Sequence, residues 1–411
     1  MRNKIVTGID IGSSLIRIVV SEISRGESEP RVLCMTSKRS RGLRHGYIVD
    51  IDEAKKAVGE AIKDAERVSG KKIYDAFLAI GGISLESSLC DGSIAVSRAD
   101  QEVGDLDIKR VVEASTANLK KLSNRLIIQS VPLQFKLDGK KILGRPIGMR
   151  GEILEVKTLF ITALEQHLND IIALVEDAGI IIENVIPSPI AASYAVLTRV
   201  QKTAGCILAD IGAETVSIAV FEEGIPTSLK VFSVGSTNIT NDIALCLKIP
   251  IEEAENIKIG KDLPAMTVGK QASRQDIKGY SKKKLEDIIE ARLSDIFDLI
   301  EAHLKKIGKN SLLPAGIILI GGGSNQGQVE PLAKQYLNLP ARIAPLSILS
   351  SIPINQSNET QVVKKNIDSS WAVAYGLCTF GETKDMEEFS GSRFVKQTKS
   401  NLAKWLRQFL P

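Results

Sequence analysis

The sequence contains one short pattern twice, at residues 5–20 and again at residues 206–220. Each copy has a β-branched apolar run, an acid, a glycine and then a second run of alternating apolar residues. The acid and the glycine are Asp10 and Gly12 in the first copy, and Asp210 and Gly212 in the second. Each copy therefore predicts a β-hairpin. An internal repeat indicates a duplicated architecture, in which two similar halves present two similar hairpins.

The residue types in these turns suit the binding of a phosphorylated ligand. We expect the turn glycine to supply a positive φ angle and to let the backbone approach a bound group closely. An acid at a strand end can hold a hydrated divalent metal ion. A single such turn is weak evidence, because Asp and Gly are ordinary turn residues. Two hairpins that face each other would hold a nucleotide triphosphate from both sides.

A third element points to the same ligand. Residues 315–320 have the pattern of a buried strand, and Gly321, Gly322, Gly323 and Ser324 follow, before a helix predicted to begin near Gln328. A glycine turn between a strand and a helix allows close backbone approach to a nucleotide. The sequence has no GxxxxGK[ST] loop and no clean GxGxxG at this position, which excludes the other common glycine-rich nucleotide loops.

These elements resemble the phosphate 1, phosphate 2 and adenosine motifs of the actin, Hsp70 and sugar-kinase superfamily. Residues 40–50, which read Ser-Arg-Gly-Leu-Arg-His-Gly-Tyr-Ile-Val-Asp, are similar to a segment of the bacterial FtsA family, as are residues 191–198 and 254–258. The resemblance covers about the whole chain. It implies an α/β, actin-like (ribonuclease H-like duplicated) two-domain fold with inserted small subdomains and a C-terminal amphipathic helix, and ATP and Mg²⁺ as cofactors.

The resemblance also implies a set of binding residues. The phosphate-binding positions are Asp10, Gly12, Ser13, Ser14, Asp210, Gly212, Thr215 and Gly235, and the adenosine-binding positions are Glu255, Lys258, Gly321, Gly322, Gly323 and Ser324. Asp10 and Asp210 would hold Mg²⁺ through water. The alternatives are turn capping for the two aspartates and an exposed ion pair for Glu255 and Lys258. Arg17 faces either phosphate or solvent.

Two departures from the superfamily pattern bear on catalysis, and no residue is assigned a catalytic role. The second turn has Ala213 and Glu214 where the superfamily prefers glycine, which brings negative charge near phosphate. Pro187 and Ser188 stand where MreB and Hsp70 carry an acid that orients the attacking water, a general-base role. We therefore expect slow or absent hydrolysis, with ATP acting as a conformational ligand.

The order of elements predicts several domains, and the resemblance implies their assignment, including the insert and the helix that packs back onto the first domain. The expected divisions are a first domain core at 1–84 and 162–202, an inserted subdomain at 85–161, a second domain core at 203–234 and 313–365, a second small lobe at 235–312, a helix returning to the first domain at 366–380, a linker at 381–398 and an amphipathic helix at 399–411. Within them we predict a short strand near 94–96, helices at 106–122 and 285–307, a hairpin that turns at Asp138 and Gly139, and a loop at 347–370.

The last residues have the pattern of a membrane-binding helix. Leu402, Trp405, Leu406, Phe409 and Leu410 recur at helical spacing, and Lys404 and Arg407 lie off that face. A short helix with Trp and Phe on one side and basic residues on the other suits the surface of an anionic membrane. The alternative is a helix docked in a groove of its own domain.

Composition excludes some classes of partner. The net charge of +4 is mild, so we expect no nucleic acid partner, which normally requires a pronounced basic stripe. No apolar run approaches the ~18–20 residues of a transmembrane helix.

The resemblance implies a role in bacterial cell division. The protein would polymerise head to tail, lie on the cytoplasmic face of the cell membrane at the division site, and recruit the tubulin-like GTPase FtsZ together with other division proteins. Arg292 is the expected FtsZ contact, and an ordinary surface charge is the alternative. Two rival functions are a pilus-assembly adaptor similar to PilM and an ATP-hydrolysing chaperone or sugar kinase.

Overall fold

The computed structural model describes residues 4–24, 29–119, 123–260, 282–353 and 360–381. The amphipathic segment at 399–411 lies outside the described residues, as does the expected linker beyond residue 381. Predictions about those segments therefore remain predictions.

Within the described residues the chain forms eighteen strands and ten α-helices. The strands are β1 (Lys4–Ile11), β2 (Leu15–Ile23), β3 (Arg31–Arg39), β4 (Leu43–Arg44), β5 (Tyr47–Ile48), β6 (Asp75–Ile80), β7 (Glu86–Ala95), β8 (Arg125–Leu137), β9 (Lys140–Ile142), β10 (Ile153–Leu164), β11 (Ile181–Pro187), β12 (Cys206–Ile211), β13 (Val216–Glu222), β14 (Ile225–Phe232), β15 (Ile317–Ile320), β16 (Ala341–Ile343), β17 (Leu346–Pro353) and β18 (Thr360–Ile367). The helices are α1 (Ile51–Ser69), α2 (Asp105–Ala117), α3 (Glu165–Glu176), α4 (Ser188–Val196), α5 (Arg199–Ala204), α6 (Ser236–Leu247), α7 (Ile251–Lys258), α8 (Lys282–Lys306), α9 (Val329–Leu337) and α10 (Ala372–Phe380).

The first half of the chain is built on a seven-stranded sheet, in the order β11-β6-β1-β2-β3-β17-β18. Helix α1 packs on this sheet through an apolar stripe of alanine, valine and isoleucine. It begins where the Asp50 carboxylate accepts hydrogen bonds from two first-turn amides, and it ends at Gly70 in the left-handed conformation. Helix α10 packs against β1 and α4, so the chain returns to the first half.

The second half is built on a five-stranded sheet, in the order β14-β13-β12-β15-β16. Its core includes one face of the long helix α8, where Leu293, Ile296 and Ile300 are fully buried. This is the helix predicted at residues 285–307, and it begins three residues earlier than the pattern suggested. The duplicated hairpins are confirmed: β1 pairs with β2 and β12 pairs with β13, both antiparallel.

A separate four-stranded sheet, in the order β7-β10-β8-β9, is inserted after β6. Helix α2 covers one face of it through a small core that includes Val111 and Phe135. The predicted hairpin turn is confirmed, because Asp138 and Gly139 both have positive φ between β8 and β9. The sequence predicts a short strand near residues 94–96, and this length is wrong, because β7 has ten residues. Helix α2 ends at Ala117, earlier than predicted.

The loop predicted at residues 347–370 is wrong. Strands β17 and β18 form an antiparallel hairpin there, and β17 pairs in parallel with β3. The hairpin therefore extends the first sheet, although residues up to 365 were expected in the second domain. The many Ser, Asn and Gln side chains of this segment suggested a loop, yet buried Leu346 and Ile348 supply the apolar face of an ordinary strand.

Candidate functional site

The two halves enclose a cleft with about 240 Å³ of free volume. Twelve of the fourteen predicted binding residues line it, namely Asp10, Gly12, Ser13, Ser14, Asp210, Gly212, Thr215, Glu255, Lys258, Gly321, Gly322 and Gly323. The duplicated hairpins thus meet across one cavity, and the triple-glycine turn opens into the same space.

The two hairpin turns share one geometry. The Gly12 amide donates to the Leu15 carbonyl at 3.1 Å, and the Gly212 amide donates to the Thr215 carbonyl at 2.9 Å. The expectation of a positive φ angle at these turns is wrong, because neither Gly12 nor Gly212 has one. Their role is close approach instead: a Cβ atom at Gly212 would lie 2.9 Å from the Thr215 carbonyl oxygen, so a side chain would force the turn open.

Asp10 and Asp210 lie at the ends of their strands and face the cleft. Burial raises the pKa of Asp10 to about 6, and the charge of Arg17 opposes this shift. Burial, and then the negative charge of Asp10, raises the pKa of Asp210 to about 7. Arg17, which pairs with Asp10 in the register of β1 and β2, lowers both values. Arg17 therefore lines the cleft and does not simply face bulk solvent.

Two electrostatically coupled carboxylates fit a divalent cation. Each destabilises the ionised form of the other, and a bound cation would remove that cost. Within the described residues no group of three or more His, Cys, Asp or Glu side chains could enclose a metal ion. A two-carboxylate site suits Mg²⁺, which keeps most of its water ligands and takes others from phosphates.

The triple-glycine turn has two glycines that the fold requires and one that it does not. A Cβ atom at Gly321, where φ is 88°, would lie 2.2 Å from Asp210 Oδ1. One at Gly323 would lie 2.5 Å from the Ile211 side chain. At Gly322, by contrast, a Cβ atom would meet nothing within 4 Å. This residue lines the cleft, so its missing side chain leaves space for a ligand.

Lys258 and Glu255 are not an exposed ion pair. Lys258 Nζ donates to Thr240 Oγ1 at 2.7 Å and to the Ser236 carbonyl at 3.1 Å, and its side chain is 4% exposed. It also contacts Glu255 Oε2 at 2.6 Å, and the Glu255 side chain is 45% exposed. Lys258 thus fixes α7 against α6, and Glu255 remains open to a ligand in the cleft.

Two predicted binding residues lie behind the cleft and do not line it. Ser324 is fully buried, and its hydroxyl donates to the Gly321 carbonyl at 2.7 Å. It therefore fixes the glycine turn. Gly235 precedes α6, and a Cβ atom there would lie 2.4 Å from the Ala213 carbonyl oxygen. It lets the second phosphate turn rest directly on the start of α6.

Residues 40–50 form part of the site, and the sequence patterns gave them no place in it. The Gly46 amide donates to Ser13 Oγ at 3.1 Å, and the His45 amide donates to Glu214 Oε2 at 2.5 Å. We name residues 43–48 the strap, because this segment joins the turn of the first hairpin to the turn of the second. A second bridge between the halves runs from Asn325 Nδ2 to Asp368 Oδ2.

Comparisons with known proteins agree with this architecture. The family model "Cell division protein FtsA" matches residues 207–375, and the model "SHS2 domain inserted in FTSA" matches residues 82–162. The cell division protein FtsA of Bacillus subtilis is 32% identical, over 83% of this chain and 79% of the relative. The chain belongs to the FtsA family. The FtsA of Pseudomonas aeruginosa is 29% identical, over 95% of this chain and 92% of the relative.

Solved structures establish the fold of this FtsA-family protein as actin-like. A PilM–PilN type IV pilus biogenesis complex matches with a TM-score of 0.63 at 16% identity, over 92% of this chain and 98% of the matched chain. MreB5 of Spiroplasma citri bound to ADP matches with a TM-score of 0.50 at 12% identity, over 94% of this chain and 98% of the matched chain. The inserted four-stranded sheet falls within the region of the SHS2 family model.

The expected partner contact, Arg292, is partly exposed and already forms ion pairs within the molecule. Its guanidinium forms two hydrogen bonds with the Asp242 carboxylate, at 2.7 and 3.1 Å, and one with Asp295 at 3.1 Å. The hydrogen bond to the Asp242 carboxylate raises the pKa of Arg292, and this effect outweighs the opposing effect of burial. Arg292 thus joins α8 to α6, and a partner would have to share this guanidinium with Asp242.

Two further features bear on binding surfaces. A groove of about 820 Å³ lies between the inserted sheet and the second half, lined by residues such as Leu89, Lys157 and His303, and it contains none of the predicted nucleotide residues. Among the described residues, no helix is both long and apolar enough to cross a membrane.

Proposed function

We propose that this FtsA-family protein binds ATP with Mg²⁺ between its two halves. One observation carries the proposal: both duplicated turns and the triple-glycine turn open into a single cleft, where Gly322 leaves unfilled space. The turns would hold the phosphates through Ser13, Ser14 and Thr215. Gly322 and Glu255 would lie beside the adenosine, and Lys258 would hold Glu255 in place.

Asp10 and Asp210 would hold Mg²⁺ through its water ligands. A bound cation would supply positive charge that offsets the charge of the phosphates and of the two carboxylates. The chain contributes Asp10 and Asp210, whose raised pKa values show that their ionised forms lack a sufficient positive partner. It also contributes Arg17, a permanent cation that favours the ionised forms of both acids. This arrangement binds and orients, and needs no proton transfer.

Hydrolysis is slow or absent in this proposal. Ser188 and Gly81 line the cleft close together, since a Cβ atom at Gly81 would lie 3.1 Å from Ser188 Oγ. A serine hydroxyl is a weak base at neutral pH, so Ser188 cannot take up the proton of an attacking water as a carboxylate does. ATP then serves as a ligand that favours the closed arrangement of the halves.

The family supplies the cellular role. We propose that the protein polymerises head to tail and recruits FtsZ and other division proteins at the division site. It would lie on the cytoplasmic face of the cell membrane through Leu402, Trp405, Leu406, Phe409 and Leu410, with Lys404 and Arg407 toward the headgroups. Arg292 remains the proposed FtsZ contact, through the surface that it shares with Asp242.

A pilus-assembly role is the second candidate, because the PilM–PilN complex shares the fold over most of both chains. At 16% identity that likeness supports the fold alone, and the FtsA relatives favour cell division. A chaperone or sugar kinase is disfavoured by the lack of an acid at Pro187 and Ser188.

Calorimetry with ATP and Mg²⁺, followed by co-sedimentation with FtsZ filaments, tests the proposal. We expect ATP binding that requires Mg²⁺, phosphate release close to background, and co-sedimentation with FtsZ. Failure to bind any adenine nucleotide would overturn the cofactor assignment. Rapid phosphate release would overturn the view that ATP is only a conformational ligand. Electron microscopy on an anionic lipid monolayer with ATP tests polymerisation in the same preparation.

A further inference from the structure

Glu214 has a role in the cleft that its sequence position does not suggest. A glutamate in a phosphate-binding turn places a negative charge where phosphates would sit. Its carboxylate does not point into open space, because Oε2 accepts a hydrogen bond from the His45 amide at 2.5 Å. The His45 ring adds a second contact, since Nδ1 donates to the Glu214 carbonyl oxygen at 3.1 Å. Glu214 is therefore tied to the strap through both its side chain and its backbone.

The strap offers consecutive backbone amides to both halves of the protein. The His45 amide meets Glu214 of the second half, and the Gly46 amide meets Ser13 Oγ of the first half. Both residues have left-handed backbone angles, with φ of 51° and 84°. Successive amides in a turn with positive φ converge on one side and form a concave site for an anion. In this structure the Glu214 carboxylate accepts from the His45 amide, and the Ser13 hydroxyl accepts from the Gly46 amide.

The anion site lies at the end of the cleft where the last phosphate of a nucleotide would be expected. Gly46 rests on Gly82, because a Cβ atom at Gly46 would lie 2.5 Å from Gly82 Cα. Gly81 adjoins Ser188, the position of the missing catalytic acid. The adenosine turn contacts Asp210 and Ile211, just before the second phosphate turn. A nucleotide with its base at that turn would therefore extend its phosphates toward the strap.

We propose that Glu214 determines which adenine nucleotide the cleft prefers, by holding the His45 amide that a third phosphate would otherwise use. This inference rests on the proposed binding of ATP. An ADP-sized ligand leaves the Glu214–His45 hydrogen bond intact. The γ-phosphate of ATP would add negative charge beside the carboxylate and compete for the His45 amide. Glu214 thus lowers the affinity for ATP relative to ADP, and ATP binding displaces it from His45.

Displacement of Glu214 would also reach the inserted sheet. The Tyr47 ring packs on His167, with ring centres 4.8 Å apart, and His167 Nδ1 meets Ser84 Oγ at 2.5 Å. Arg125 of β8 donates to the Ser84 carbonyl at 2.5 Å. If ATP releases the strap, Tyr47 moves against His167, and His167 contacts Ser84 at the start of the insert.

The test compares Glu214→Gln with Glu223→Gln. Glu223 lies in the same half, just beyond the opposite end of β13, and is exposed, so its substitution removes the same charge far from the cleft. Calorimetry with Mg²⁺ would give the ratio of ATP to ADP affinity for wild type and both variants. We expect Glu214→Gln to raise the ratio on the order of tenfold, from loss of charge repulsion across a few ångströms. Glu223→Gln should leave it unchanged.

The NMR resonance of the His45 amide supplies a second readout. In wild type, ATP but not ADP should shift this resonance, because only ATP replaces the Glu214 carboxylate as the acceptor of the His45 amide. An unchanged affinity ratio in Glu214→Gln, with wild type binding both nucleotides, would overturn the role of Glu214 and leave the proposed function standing. Absence of nucleotide binding by wild type would overturn the proposed function, and this inference with it. A melting curve for each variant checks that the fold is retained.

Discussion

At the scale of single residues, the pKa values of Asp10 and Asp210 couple pH to stability and to metal binding. Both carboxyl groups hold a proton more tightly in the folded protein than in the unfolded chain. Their contribution to the free energy of unfolding is therefore greatest at low pH. It is lost as the pH rises from about 4 through 7, when each group must ionise beside the other. A cation between them reverses this cost, so Mg²⁺ affinity should rise over the same range.

Asp210→Asn isolates this effect. The amide resembles the protonated acid, so without ligand the stability advantage of the variant over wild type should grow as the pH rises from 5 to 8. We expect this growth to be about 1–3 kcal/mol. Thermal melts between pH 5 and 8.5, with and without Mg²⁺, measure it. An equal gain at both pH values would show that the charge of Asp210 is not the cause.

Gly322 and Gly327 provide a matched pair for the adenosine turn. A Cβ atom at either position would meet nothing within 4 Å. Only Gly322 lines the cleft. Gly322→Trp should therefore abolish ATP binding while the protein stays folded, and Gly327→Trp should bind ATP as wild type does. Unchanged ATP affinity of Gly322→Trp in calorimetry would mean that the nucleotide does not lie against this turn.

At the scale of elements, the sequence predicted what local patterns determine. The hairpins after Asp10 and Asp210 and the apolar stripe of α8 follow from residue spacing alone. The hairpin of β17 and β18 could not be read in this way, because its burial depends on pairing with β3, more than three hundred residues earlier. The role of the strap was equally hidden, since Glu214 lies 169 residues from His45. Long-range contacts of this kind leave no periodic signal in the sequence.

The β17–β18 hairpin makes a quantitative prediction. Ile348 is 3% exposed in β17, so Ile348→Ala should lower the free energy of unfolding by about 2–5 kcal/mol through the cavity it leaves. Ser350→Ala, two residues further along the same strand, should cost much less. Denaturant unfolding of the three proteins measures both values. If Ile348→Ala barely lowers the free energy of unfolding, the interpretation of residues 347–370 as a loop would be favoured instead.

At the scale of the whole molecule, contacts around the cleft determine how the halves meet. The Glu214–His45 bond and the Asn325–Asp368 bond both cross between them. Ser87 of the insert adds another contact, since its hydroxyl donates to the Leu229 carbonyl at 2.7 Å. A ligand in the cleft favours the closed arrangement by its differential affinity for it. Filament formation would then respond to nucleotide, because subunit contacts depend on how the halves are arranged.

In our proposal, the C-terminal segment would place such a filament on the membrane. Fully burying one large apolar side chain contributes roughly 1.5–3 kcal/mol, and an interface buries it only in part. Each nearby basic residue adds about 1 kcal/mol on an anionic surface. A helix predicted at residues 399–411 would therefore be a modest, reversible anchor, and a filament that carried many of them would bind by avidity.

Trp405→Glu and Gln408→Glu test the anchor as a pair. Both add one negative charge to the same short segment, but Trp405 belongs to the apolar face and Gln408 lies off it. We expect Trp405→Glu to release monomers from anionic liposomes in a flotation assay, and Gln408→Glu to weaken binding only slightly. ATP binding should be intact in both, because the cleft is formed by other residues. If Trp405→Glu floats with liposomes as well as wild type does, then the segment is not the membrane anchor, and a helix docked on its own domain becomes the better explanation of its apolar face.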